Sequence, residues 1–120
     1  MDVTLGDLAD KLSIALRKQR IIPNSVTESE IEDIVQSIFV KWGSLDNKVE
    51  QLFIRDLVRL CDINYHIWHL EAVIRNSEEN ELSDEFVGKR AKIIRDLNKQ
   101  RVGIRDRINS YVGDYKIVNV

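Results

Sequence analysis

A chain of 120 residues is one domain by length, and its 43% hydrophobic and 32% charged residues fit a packed core and exclude a disordered chain. Eighteen basic against twenty acidic side chains give a net charge of −2, so no basic excess points to nucleic acid. The single Cys61 excludes an intrachain disulfide and a cysteine-rich zinc site and fits a reducing compartment.

The N-terminus, MDVTLGDLAD, lacks the basic-then-apolar pattern of a signal peptide, and no apolar run approaches the roughly 20 residues that span a bilayer. The expectation is therefore a cytoplasmic protein with no membrane span. Its helix starts are legible. Thr4 can cap a first helix running from about Leu5 to Arg20, with Asp7 at the third helical position and Leu8 placed to pack back on Val3. Leu5, Leu8, Leu12 and Leu16 form its stripe, and Pro23 ends it by disfavouring helix at Ile22.

The same grammar recurs at Val26-Thr27, where Glu30 closes a capping box and Ile31 can staple Val26. The second helix runs from about Glu28 to Trp42, with Ile31, Ile34, Val35, Ile38, Phe39 and Trp42 as its apolar face. Gly43-Ser44 is a stop followed by a start. A third helix spans about Leu45 to Asn76, and NSEENELS is a short acidic turn. Ser83 caps a fourth helix from Asp84 to Val112; Asp84 and Glu85 suit its dipole, and Leu82 can staple onto Val87. The tail after it, residues 113–120, is compatible with a mobile end or a docked strand.

These elements predict a single all-α domain over residues 1–120, four-helix bundle-like, with two short N-terminal helices and a long antiparallel hairpin. At about 1.5 Å per residue the last two helices each exceed about 40 Å, roughly twice the first two. Part of the hairpin is then left uncovered, and a partner chain is the most direct cover. A homodimer or higher homo-oligomer is expected, and the same surface could serve another protein partner.

The hairpin carries polar groups inside its apolar pattern. The third-helix seam is Val49, Leu52, Phe53, Leu57, Leu60, Ile63, Ile67, Leu70 and Ile74, and Asn64, Trp68, Glu71 and Arg75 line a stripe beside it. On the fourth helix, Arg90 and Arg101 take positions within the seam Phe86, Ile94, Leu97, Ile104, Ile108, Tyr111. Folding the hairpin places Glu71 near Arg90, and Asn64 near Asn98 and Arg101. Arg101 then has only amides close by and donors to spare, which suits a bound carboxylate or phosphate. The other reading is a structural network that fixes helix register, and it is the commoner use of such groups.

Further chemistry finds less support. His66 and His69 share a helix face, but two ligands are too few for a metal, and no cofactor is implied. Cys61 has no base on its own face: His66 is five positions away. Helical nucleotide pyrophosphohydrolases resemble the chain in class only, because Glu78, Glu81 and Asp84 fall in one turn rather than on two facing helices. The basic run GKRAKIIRDLNKQRVGIRDR spreads around its helix, is interrupted by Asp96 and Asp106, and has no interleaved aromatic platform for single strands.

The pair NYHIWHLE and IIRDLNKQR resembles a family of helical bacterial proteins of unknown function encoded near sugar-transferring enzymes. Its pattern of Asn, Trp-His, Glu, then Leu-Asn-x-x-Arg falls on Asn64, Trp68, His69, Glu71, Leu97, Asn98 and Arg101. The opening LGDLADKLSIALRK is similar to a second uncharacterised family with a Gly-acid-Leu-x-Asp-Lys-Leu pattern, here Gly6, Asp7, Leu8, Asp10, Lys11 and Leu12. This chain departs from the first pattern at Ala72 and at Val102-Gly103. The resemblance implies a helical accessory protein linked to surface-sugar synthesis, and no reaction.

Two functions are therefore expected as alternatives. One is a non-enzymatic accessory or interaction protein acting as an oligomer. The other is a binder or enzyme for an anion or sugar nucleotide, in which Arg101 holds the anion, Asn64 and Asn98 orient it, Trp68 lines the stripe, and His69 or Glu71 is the acid–base group. Asp10 and Lys11 contribute if the first helix docks alongside.

Overall fold

A computed structural model describes residues 3–43, 45–76 and 83–113. These form four helices: α1 (Leu5–Ile21), α2 (Ser25–Trp42), α3 (Asn47–Asn76) and α4 (Asp84–Val112). The fold is all-α and bundle-like. Most of the acidic turn, with the staple expected at Leu82, and all of the tail after Gly113 lie outside the described residues.

Local chemistry sets the helix ends. Thr4 Oγ1 accepts the Asp7 N–H at 3.1 Å, and Ser83 Oγ accepts the Phe86 N–H at 3.1 Å, as the sequence predicts. α4 stops at Gly113, whose φ of 68° places it in the left-handed region where a Cβ is disfavoured. α2 corrects the reading of Thr27 as its cap. Its cap is Asn24, whose Oδ1 accepts the Thr27 N–H at 2.8 Å. Asn24 is held there by its own backbone N–H on Gln19 Oε1 and by its side-chain amide on the Ile22 carbonyl. Thr27 is therefore buried inside the first turn, and Val26 is 77% exposed rather than stapled to Ile31. α3 begins at Asn47 instead of Leu45 because Asp46 Oδ1 accepts the Val49 N–H at 3.0 Å.

α1 is the hub. It packs against α2, α3 and α4, and α3 pairs with α4, while among the described helices the backbone of α2 approaches only α1. The main core joins Leu5 and Ala9 of α1 to Phe53, Leu60, Ile63 and Ile67 of α3 and Ile104 and Ile108 of α4. A second cluster, Leu12, Ala15 and Ile34, fastens α2 to α1. The small Ala9 and Ala15, both fully buried, let neighbouring helices come close.

The α4 seam is buried only at its base. Ile104 and Ile108 are enclosed, Ile94 and Leu97 are half-buried, and Phe86 is 39% exposed. Length explains this: α1, about 25 Å long, cannot cover a hairpin of about 45 Å. Among the described residues no helix is long and apolar enough to cross a membrane.

Candidate functional site

The polar stripe converges where α1, α3 and α4 meet. Asn64, on α3 and 1% exposed, donates from Nδ2 to Asp10 Oδ1 at 3.0 Å and to Ser13 Oγ at 2.6 Å. Ser13 Oγ in turn donates a hydrogen bond to the Asp10 backbone carbonyl at 2.7 Å. On its other side Asn64 Oδ1 accepts from Arg101 Nη1 at 3.4 Å. The amide orientation is fixed by chemistry, since the carboxylate of Asp10 only accepts and the guanidinium of Arg101 only donates. Sequence periodicity places Asn64 near Arg101, and the two do meet. It does not show that α1 supplies the carboxylate.

That carboxylate changes the electrostatics. Arg101 Nε lies 3.7 Å from Asp10 Oδ1, so the guanidinium faces an anion already in the chain and not amides alone. Next along α4, Arg105 Nη2 donates to Asp7 Oδ1, and its Nη1 is 3.8 Å from Asp10 Oδ2. Two guanidiniums thus face two carboxylates, leaving no net positive charge to draw a further anion. Arg101 Nε is buried without a hydrogen-bond partner. A partly buried ion pair of this kind holds helices in register more than it stabilises them, because desolvation offsets attraction.

The remaining expected site residues are spread over the hairpin and α1. Trp68, Glu71 and Asn98 are half-buried; His69 and Lys11 are exposed. His69 stacks on Tyr65, with ring centroids 6.2 Å apart, and lies 6.3 Å from the Trp68 ring. Arg20 of α1 places its guanidinium 4.7 Å from the Tyr65 ring centroid. Arg90 lies over the Phe86 ring at 4.5 Å, whereas the hairpin register read from the sequence places it near Glu71.

A second polar cluster escapes the seam analysis. Asp56 of α3 is fully buried, and Arg107 grips it with two hydrogen bonds, Nη2 to Oδ1 at 2.6 Å and Nε to Oδ2 at 3.1 Å. Tyr111 Oη donates to Oδ2 at 2.9 Å, and Arg55 Nη2 lies 3.5 Å from Oδ1. Burial alone raises the Asp56 carboxyl, but the hydrogen bonds from Arg107 and Tyr111 and the charges of Arg107 and Arg55 outweigh it and hold the group below the usual carboxylate range. Burial and the adjacent Asp56 push the Tyr111 phenol up, so it stays protonated. The signal was present: Phe53, Asp56, Leu60, Ile63 and Ile67 step by three and four, which places a carboxylate on the buried seam.

Cys61 is half-buried, and burial raises its thiol. It is a packing residue rather than a thiolate nucleophile.

The described cavities lie away from Asn64 and Arg101. One, of about 260 Å³, is an apolar groove between α2 and α3, lined by Val35, Phe39, Trp42, Phe53 and Ile54 with Leu5 beneath. Another lies on the outer side of the hairpin, where Arg59, Asp62, His66 and Gln100 surround Ile63 and Leu97. No family model, curated protein or solved structure matches the chain.

The buried network makes its own prediction. Asn64→Leu is expected to lose about 2 kcal/mol by leaving Asp10 and Arg101 short of hydrogen bonds. Asn64→Asp should lose more, because it sets a second carboxylate against Asp10. Urea denaturation at neutral pH ranks the two; equal stability would remove Asn64 from the centre of the network.

Proposed function

We propose that the protein is a helical accessory or interaction protein that works as an oligomer, with the polar stripe serving to lock its helices. One observation carries this reading: Arg101, the group best suited to a ligand, faces Asp10 and Asn64 inside the chain, while large apolar side chains stand in water elsewhere. A binding arginine needs an open pocket and donors directed into it. An interaction protein needs an apolar surface that a monomer leaves wet. The accessory role also agrees with the resemblance of the Asn64–Glu71 and Leu97–Arg101 patterns to helical families encoded near sugar-transferring enzymes.

A second reading keeps one specific support. The buried Nε of Arg101 has no hydrogen-bond acceptor, so an anion or the phosphate of a sugar nucleotide could seat there by displacing Asp10.

Arg101→Met separates the two. The interaction reading expects a fall of about 1–2 kcal/mol from the lost contacts to Asn64 and Asp10, an unchanged oligomeric mass, and no wild-type thermal shift with inorganic phosphate or sugar nucleotides. A wild-type shift that Arg101→Met abolishes would establish the binder instead. A wild-type mass equal to one chain by light scattering at micromolar concentration ends the oligomeric reading.

A further inference from the structure

The groove between α2 and α3 stays open because both helices lean on α1, and among the described helices neither of the two approaches the other. Leu5 and Phe53 lie at its floor, with Val35 and Phe39 of α2 on one wall and Ile54 of α3 on the other. The wall side chains are exposed, Phe39 by 73% and Ile54 by 51%. Together they leave on the order of 300 Å² of apolar surface in water, the size of a functional patch rather than of scattered surface residues.

Charge selects the occupant. Among the described residues Glu50 is the one charged side chain that lines the groove, on the α3 wall one turn from Ile54. On α2, Glu28 and Glu32 continue the ridge of Val35 and Phe39 with spacings of four, three and four. All three glutamates are exposed, and among the described residues none makes an ion pair. α2 carries Glu28, Glu30, Glu32 and Asp33 against Lys41 alone, and Lys41 is held on the Val3 carbonyl and over the Trp42 ring. Both edges of the groove are therefore acidic. They repel fatty acids and anionic lipids and favour an apolar body that carries positive charge.

We infer that the groove receives a cationic amphipathic helix of another protein, its apolar face between the two walls and its Lys or Arg side chains on Glu28, Glu32 and Glu50. An amphipathic helix supplies apolar anchors at steps of three and four, which two helical walls are built to accept. The apolar walls supply the affinity, and the acidic edges set partner choice and rate of encounter. This inference rests on the interaction reading and names the chemistry of the partner.

The test titrates the full chain into a fluorescent synthetic peptide as long as α2, built of leucine and lysine with the leucines on one helical face, and reads anisotropy. Wild type is expected to bind it, more weakly as salt rises. Phe39→Ser/Ile54→Ser, checked for folding by circular dichroism, should weaken binding by about tenfold or more. Glu28→Gln/Glu32→Gln/Glu50→Gln should weaken it by about tenfold and flatten the salt dependence. These charge variants, on exposed side chains, decide the matter should the serine variant unfold. Glu30→Gln/Asp33→Asn, which removes two charges off the ridge, should leave binding unchanged. Three results overturn the inference: no binding by wild type, equal binding of a leucine–glutamate peptide of the same pattern, or binding that ignores both the serine and the ridge variants. A wild-type oligomer that Phe39→Ser/Ile54→Ser reduces to the chain mass would give the groove to a second copy and overturn it as well. The interaction reading is decided by the mass of the wild type and its response to phosphate, and this inference by the peptide, so the two fail separately.

Discussion

Asp56→Ala is expected to cost about 3 kcal/mol of unfolding free energy, the low end for breaking a buried ion pair. The value sits at that end because the Arg107 side chain is 43% exposed and can turn to water once its partner is gone. The Tyr111 hydroxyl, half-buried on the same oxygen, loses its acceptor. Asp56→Asn keeps the volume and one acceptor, and should cost less, about 2 kcal/mol.

The cluster also gives the stability a pH dependence at both ends. The folded Asp56 carboxyl lies below its unfolded value, so between those two values the unfolded chain binds the extra proton. Its contribution is present above about pH 4 and is lost as the pH falls through the folded value. Tyr111 has the opposite sign. Its phenol is raised, so the native state holds the proton longer, and its contribution is present below about pH 10 and lost as the pH climbs above it. Asp56→Asn should flatten the acid limb of a stability–pH profile, and Tyr111→Phe the alkaline limb. An acid limb left unchanged by Asp56→Asn would show that other carboxylates govern it.

Gly6→Ala is the second large effect, and its sign is opposite to helix propensity. A Cβ at Gly6 would lie 2.5 Å from the backbone oxygen of Arg105 and 2.7 Å from Asn109 Oδ1, the same oxygen that accepts the Gly6 N–H at 2.7 Å. A backbone carbonyl within α4 cannot rotate away, so the methyl must push α1 off α4. That separation also strains the nearby pair of Asp7 with Arg105. Overpacking of this kind outweighs the gain of about 1 kcal/mol that alanine brings to a helix, and a net loss of about 2 kcal/mol or more is expected. Gly103, within α4, is the control: nothing lies within 4 Å of its Cβ position, so Gly103→Ala should stabilise by about 0.5–1 kcal/mol. Two alanines that both stabilise in urea would mean that α1 and α4 are not in close contact.

The contact at Gly6 shows how the sequence divides. Gly6, Asp7, Leu8, Asp10, Lys11 and Leu12 read as one motif on one helix. Packing sends them in different directions: Gly6, Asp7 and Asp10 onto α4, Leu8 and Leu12 into the cluster with α2, Lys11 to solvent. Their spacing was visible, but which neighbour each one meets was not. The same holds for Asn64 and Arg101. Hairpin register brings α3 against α4, yet whether Arg101 is spare or paired depends on Asp10, 91 residues away along the chain.

The sequence by itself determined the helices. Thr4, Ser83 and Gly113 fix their ends through bonds that close within one turn, and three- and four-residue spacing fixes which side chains share a face. Such terms are local, and the chain spells them out. Only the tertiary structure decided which of those faces is covered. Asp56 is buried and Phe39 is exposed although both sit on apolar stripes, because α4 lies over the first and no described helix lies over the second. Burial depends on where other helices lie, and α1, too short for the hairpin and shared among three neighbours, sets where they lie.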